Sequence, residues 1–202
     1  MPAFRNHNYA AFLFDMDGTL LDSSAVVERV WLTWARRHAI DERALLASLH
    51  GVRAEDTVRK FAGPSLDIAR ETEWIRQAEL ADVEGIVPLE GIVTFISQLE
   101  PHEWAVVTSA TLELATVRMN AAKIPIPRVM VTAEEVTRGK PDPEGFLLAA
   151  QRLCVPIEEC LVFEDSLPGV KAAKAAGAHV AIVGGHVSES EGHFALADYL
   201  SG

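Results

Sequence analysis

The chain has 202 residues, of which 49% are hydrophobic and 23% charged. That length buries a real core and fits one domain plus an insertion, or two small domains, and the composition excludes a disordered protein. The net charge of −11, from 18 Lys and Arg against 29 Asp and Glu, disfavours a nucleic-acid partner or an anionic membrane surface. An anionic substrate therefore needs local positive charge from a metal or from a few basic residues.

The opening pentapeptide Met1 to Arg5 shows no apolar signal core, and no run reaches the length of a membrane span, so a soluble cytoplasmic protein is expected. The run Tyr9 to Phe14 is short, apolar and partly aromatic, and reads as a buried strand. Beyond Ser24 the character changes. Val26, Val27, Val30, Trp31 and Trp34 recur at helical spacing, with Glu28, Arg29, Arg36 and Arg37 on the other faces, which places the two tryptophans in a core. Ala44 to Leu49, Glu55 to Phe61 and Leu66 to Ala81 read as further helices, with Gly63-Pro64 as a breaker.

Strands and helices then alternate. Gly91 to Leu99 is helical, Trp104 to Val107 strand, Leu112 to Ala122 helical and Val129 to Val131 strand. Asp142 reads as an N-cap with Pro143 at the first helical position, opening a helix that runs to about Leu153. Leu161 to Phe163 is strand, Pro168 to Ala176 helix with Gly177 as its stop, and Val180 to Val183 strand. Phe194 to Leu200 is an apolar patch of undecided type. The alternation predicts an α/β fold, a Rossmann-like parallel sheet interrupted by an all-helical insertion. Residues 1–23 and 86–202 would form the α/β core, and residues 24–85 the helical part.

Cys154 and Cys160 read as small hydrophobes rather than a disulfide framework. The seven histidines show no zinc spacing. The chemistry concentrates at four strand ends. In Phe14-Asp15-Met16-Asp17-Gly18-Thr19, two carboxylates separated by one residue share a face of the strand, while Met16 turns back to packing. Carboxylates held close repel, so a proton or a cation must sit between them, and Mg²⁺ favours such oxygen ligands. The alternative is a surface turn. Thr108-Ser109 closes an apolar strand with hydroxyls able to donate to a phosphoryl oxygen, or forms a plain turn. Lys140, in Gly139-Lys140-Pro141, is a point charge in a rigid loop, or a solvated lysine. Glu164-Asp165 ends another buried strand, where acids are costly unless paired or metal-bound, or begins a helix as its cap.

Taken together, Asp15-Met16-Asp17-Gly18-Thr19, Thr108, Lys140 in Gly-Lys-Pro and Glu164-Asp165 resemble, in order and type, the four motifs of haloacid dehalogenase-like hydrolases. The helical block resembles the cap of the beta-phosphoglucomutase-like branch. Leu49-His50-Gly51-Val52-Arg53 and Trp104 to Ser109 are similar to its small sugar- and polyol-phosphate phosphatases. The resemblance implies transfer of a phosphoryl group to Asp15, with Asp17 first as acid and then as base. It implies Mg²⁺ on Asp15, the Asp17 carbonyl and Asp165, with Glu164 in support. Lys140, Thr108, Ser109 and the backbone N–H near Met16 would hold the phosphoryl oxygens. His50 and Arg53 are the candidates for substrate contacts from the cap, and Arg118, Arg128 and Arg138 are assigned to the surface.

The implied substrate is a small phosphorylated metabolite, and a cap that must move favours a monomer. A phosphomutase usually carries a histidine on the first cap helix, where Val26-Val27 stand here. Phosphonate cleavage needs a cap lysine, and nothing marks Lys60 for that role. Dehalogenases on this scaffold generally lack the second aspartate, which is present here as Asp17. A non-catalytic Mg²⁺- and phosphate-binding module is the alternative from outside enzymology.

Overall fold

A computed structural model describes residues 1–184, 187–188 and 192–200. Two-residue strands β1 (Ala3–Phe4) and β2 (His7–Asn8) make an antiparallel hairpin ahead of β3 (Ala11–Phe14). After β4 (Leu21–Asp22) come four helices: α1 (Ser24–His38), α2 (Glu42–Leu46), α3 (Ala54–Phe61) and α4 (Ile68–Ala81). The chain returns through β5 (Val87–Pro88), which pairs antiparallel with β4 and ties together the two ends of the helical stretch. Then follow α5 (Ile92–Ile96), β6 (Trp104–Val107), α6 (Leu112–Ala121) and β7 (Met130–Val131). The last elements are α7 (Glu144–Leu153), β8 (Cys160–Glu164), α8 (Leu167–Ala176), β9 (His179–Val183) and β10 (Phe194–Leu196).

Six of the strands form one parallel sheet in the order β10-β9-β8-β3-β6-β7. The chain leaves β3 toward β6 and β7, then crosses back to build β8, β9 and β10 on the other side. Strand order therefore reverses at β3, the point where a parallel sheet opens a crevice at its carboxyl edge. Phe14 pairs with Val106 on one side and Phe163 on the other, so the residues that follow these three strands emerge side by side.

The pleat sorts side chains onto two faces. Phe12, Phe14, Val106, Leu161 and Phe163 join an aromatic-rich core with Phe4, Ile96 and Tyr199. Leu13, Ala105, Val107, Val162 and Val180 face a second core of small residues, with Phe146, Ala149 and Ala173 from α7 and α8. Phe14 and Phe163 stack with ring centroids 4.7 Å apart, the geometry expected of neighbouring strands carrying matched aromatics.

Boundaries differ from the sequence reading for local reasons. Pro143 is the N-cap of α7 and Glu144 its first residue, because the Asp142 carboxylate accepts the Glu144 N–H at 3.0 Å from outside the helix. Helix α5 is shorter than Gly91 to Leu99, and α2 begins earlier, with Asp41 accepting the Ala44 N–H. The undecided tail supplies the edge strand β10 and the buried Tyr199, whose hydroxyl donates to the Thr19 carbonyl at 3.0 Å. Among the described residues, no helix is long and apolar enough to cross a membrane.

Replacing Phe163, fully buried at the centre of this core, with alanine removes the stack and leaves a cavity. Urea denaturation of Phe163→Ala is expected to show a loss of about 3–5 kcal/mol in unfolding free energy. A loss below about 1 kcal/mol would show that the aromatic face does not organise the fold.

Candidate active site

Asp15, directly after β3, is 4% exposed, and Glu164 and Asp165, at the end of β8, are 0% and 2% exposed. Carboxylate oxygens of the three lie within 4.8 Å of one another. Lys140 reaches in from its loop, with Nζ 2.5 Å from Asp15 Oδ1 and 2.5 Å from Glu164 Oε1. That loop is pinned by Glu144 at the start of α7, whose carboxylate accepts the N–H groups of Thr137 at 2.9 Å and Arg138 at 3.0 Å. Glu164 turns its other oxygen to Ser166, accepting from the backbone N–H at 3.0 Å and the hydroxyl at 2.9 Å.

Two glycines make this density of charge possible. A Cβ on Gly169 would overlap the Glu164 carboxylate, and one on Gly18 would overlap that of Asp165. Gly18 also has φ +85°, in the left-handed region.

The charges do not balance. Three buried carboxylates face one ammonium. Burial pushes the Asp15 carboxyl up, against the opposing pull of Lys140, and burial with repulsion from Asp15 and Glu164 pushes Asp165 up as well. Burial alone would lower Lys140, but Asp15 and Glu164 outweigh it and hold the ammonium above its ordinary value. Among the described residues, the side-chain donor to Asp165 is the Thr19 hydroxyl, at a long 3.4 Å. An all-oxygen cluster with excess negative charge and an under-partnered carboxylate fits a divalent cation.

Asp15, Asp17, Thr108, Ser109 and Asp165 line a cavity of about 370 Å³ together with His50 and Arg53, so the strand-end residues and the residues from the helical stretch share one space. Lys140 and Glu164 are not among the residues lining that cavity; Lys140 bridges Asp15 and Glu164 beside it. The Thr108 hydroxyl accepts the Ala110 N–H at 3.1 Å. Ser109 donates to the Gly51 carbonyl at 3.0 Å, linking the end of β6 to the segment between α2 and α3. Met16 is fully buried, and its carbonyl closes the turn that aims Asp17 at the cavity. Arg53 lines the same cavity with its guanidinium partly engaged: Nε donates to Asp56 at 2.7 Å, and one terminal nitrogen reaches the Thr137 carbonyl at 3.4 Å, over the lysine loop.

A protein-family model described as haloacid dehalogenase-like hydrolase matches residues 9–177. The chain belongs to the haloacid dehalogenase-like hydrolases. Hexitol phosphatase A of Escherichia coli (strain K12) is 46% identical over 176 residues, covering 85% of this chain and 82% of that protein. Validoxylamine A 7'-phosphate phosphatase of Streptomyces hygroscopicus subsp. limoneus is 35% identical over 177 residues, covering 84% of this chain and 83% of that one. The crystal structure of beta-phosphoglucomutase from Clostridium difficile superposes with a TM-score of 0.82 over 96% of this chain and 92% of its own, at 22% identity, which is a likeness of fold.

One assignment in this hydrolase is corrected by the structure. Arg128 and Arg138 are exposed, but Arg118 is 4% exposed and lines the cavity, bonded to Asp17 and paired with Glu79. Leu114, Ala115, Arg118 and Met119 are the buried face of α6, so the arginine falls on an apolar stripe. Glu79 falls likewise in line with Ile75 on α4. A charge in step with an apolar stripe was the signal available, and a scan for motifs passes over it. Ser23, which no motif marks, donates its hydroxyl to Asp17 Oδ1 at 2.6 Å.

Gly18→Ala tests whether the acidic cluster is a metal site. The added methyl displaces Asp165, so binding of Mg²⁺ or Mn²⁺ measured by calorimetry should weaken by about 10–100-fold while the fold persists. Unchanged affinity in a folded variant would remove Asp165 from the ligand set.

Proposed function

We propose that the chain is a Mg²⁺-dependent phosphatase acting on small sugar- or polyol-phosphate monoesters through an aspartyl-phosphate on Asp15. The observation that carries the reading is the buried Asp15 carboxylate, 2.5 Å from Lys140, beside Glu164 and Asp165 and opening on a cavity shared with Asp17.

Asp15 Oδ forms a bond to phosphorus as the ester P–O bond breaks. Asp17 gives its proton to the departing oxygen, then takes one from the water that cleaves the acyl-phosphate. Lys140 offsets charge on Asp15 and the phosphoryl group, and Thr108 with the backbone N–H groups near Met16 and Ser109 holds the equatorial oxygens. Asp15, the Asp17 carbonyl and Asp165, with Glu164 in support, would hold Mg²⁺, which would supply positive charge against repulsion between Asp15 and a phosphate dianion. Residues 24–85 serve as a cap on a core of 1–23 and 86–202, and exclude water during attack. The cap brings His50 and Arg53, which line the cavity, to the leaving-group side for contact with the substrate. The protein works as a cytoplasmic monomer.

The substrate class follows from the relatives and from the cavity's charges. The relatives' names point to polyol and sugar monophosphates. The three arginines lining the cavity are each already paired: Arg53 with Asp56, Arg76 with Glu73 and Glu113, and Arg118 with Asp17 and Glu79. A second phosphate would have to break one of these pairs, which favours a substrate with no charged group beyond its one phosphate and weighs against a mutase working through a bisphosphate.

A panel of phosphate esters with free-phosphate detection tests this. Hexitol and sugar monophosphates should release phosphate, sugar bisphosphates much less. Asp15→Asn should fall to background, and EDTA should abolish turnover until Mg²⁺ is restored. Glucose 1-phosphate converted to its isomer rather than to free phosphate would favour the mutase, and activity in Asp15→Asn would sink the assignment.

A further inference from the structure

Arg118 is a cation that the packing of α6 does not need. Its neighbours on that face are Leu114, Ala115 and Met119, and its side chain is 5% exposed. One terminal nitrogen donates to Asp17 Oδ2 at 3.0 Å. The other lies 3.3 Å from Glu79 Oε1 as an ion pair, outside hydrogen-bond geometry, and that nitrogen and Nε are buried with no hydrogen-bond partner. Burying a guanidinium with unpaired N–H donors costs stability, and a leucine or methionine would fill the space without that cost. What the charge provides is a rigid planar donor facing a carboxylate.

Glu79, itself 5% exposed, is fixed in turn. Its Oε1 accepts the Trp31 indole N–H at 3.1 Å. An unbroken line therefore runs from Trp31 on α1, through Glu79 on α4 and Arg118 on α6, to Asp17 at the end of β3. Ser23 holds the other Asp17 oxygen at 2.6 Å, and the Asp17 side chain is 29% exposed, so it reaches the cavity from this cradle. Without Arg118, the Ser23 hydroxyl is the side-chain hold left on this carboxylate among the described residues.

We propose that Arg118 and Glu79 are positioning residues for Asp17. Arg118 fixes where the Asp17 carboxyl group meets the leaving-group oxygen, and Glu79 makes that placement depend on α4 being seated. The inference rests on the reading of Asp17 as leaving-group acid. In that step the bond from Asp15 Oδ to phosphorus forms, the ester P–O bond breaks with its electron pair staying on oxygen, and the Asp17 proton moves to that oxygen. A misplaced Asp17 therefore penalises a strongly basic alkoxide leaving group and spares one stable without a proton.

The test compares kcat/KM on sorbitol 6-phosphate, whose leaving group is an alkoxide, with p-nitrophenyl phosphate, whose phenolate leaves unaided. In Arg118→Met, the loss on sorbitol 6-phosphate should exceed that on p-nitrophenyl phosphate by at least about tenfold. Arg118→Lys, which keeps charge without the planar fork, should fall between Met and the parent, and Glu79→Gln should show a smaller loss of the same selective kind. Equal losses on both esters in folded protein, or no loss on either, would overturn the proposal. Should Arg118→Met fail to fold, Glu79→Gln decides alone by the same criterion. Asp17→Asn sets the scale. If it is selective and the Arg118 and Glu79 variants are not, positioning fails while the acid role stands; if it is not selective, the acid role fails and the positioning role with it.

Discussion

Three carboxylates and one ammonium, all buried at the carboxyl edge of the sheet, set the terms for the rest of the molecule. Asp15, Glu164 and Asp165 meet where water is scarce, and Lys140 answers the charge of two of them. An uncompensated ion in such surroundings costs several kcal/mol even after relaxation, so the cluster is stable only when a proton or a cation joins it. The same surplus is what fits the cluster to a divalent ion, the ion that the proposed reaction would use against the charge of a phosphate dianion. The surrounding backbone is built to tolerate the crowding: Gly18 and Gly169 leave out side chains that would collide with the carboxylates, Ser166 fixes one face of Glu164, and Glu144 pins the loop that delivers Lys140.

The groups assigned to bond making are placed by rigid elements. Asp15, Thr108 and Glu164 stand at the ends of β3, β6 and β8, neighbours in register and backed by stacked aromatics on one face and close-packed small residues on the other. Precision of this kind is difficult to obtain from loops alone. The helical stretch contributes differently. It joins the sheet through the β4–β5 pairing at its base, the Ser109–Gly51 hydrogen bond, the reach of Arg53 to Thr137, and the ion pairs Arg76–Glu113 and Arg118–Glu79. Most of these polar links border the cavity, which fits the cap role proposed for this stretch.

Much of this was legible in the residues. Asp15, Asp17, Thr108 and Glu164-Asp165 announce themselves because each ends an apolar strand abruptly, and Lys140 because it sits between breakers; neither signal needs a distant partner. The parallel sheet followed from alternating periodicities that are likewise local. What escaped depends on chain segments far apart. The strands β1, β2, β4 and β5 are two residues long and exist through pairings such as Leu21 with Pro88, which no periodicity records. In the β1–β2 turn, Arg5 and Asn6 both take positive φ, a conformation natural to asparagine and unexpected for arginine. Arg118 and Glu79 resemble ordinary helix-surface charges until their alignment with buried neighbours is weighed.

All of the proposed chemistry returns to one atom pair, an Asp15 oxygen that would be bonded for a moment to phosphorus. Rapid acid quench of the enzyme during turnover of sorbitol 6-phosphate, followed by peptide mapping in a mass spectrometer, reads that bond directly. The account predicts a phosphoryl group on the peptide carrying Asp15, located at that residue by fragmentation. A phosphoryl group on any other side chain, or phosphate release with an unmodified enzyme at every quench time, would contradict it.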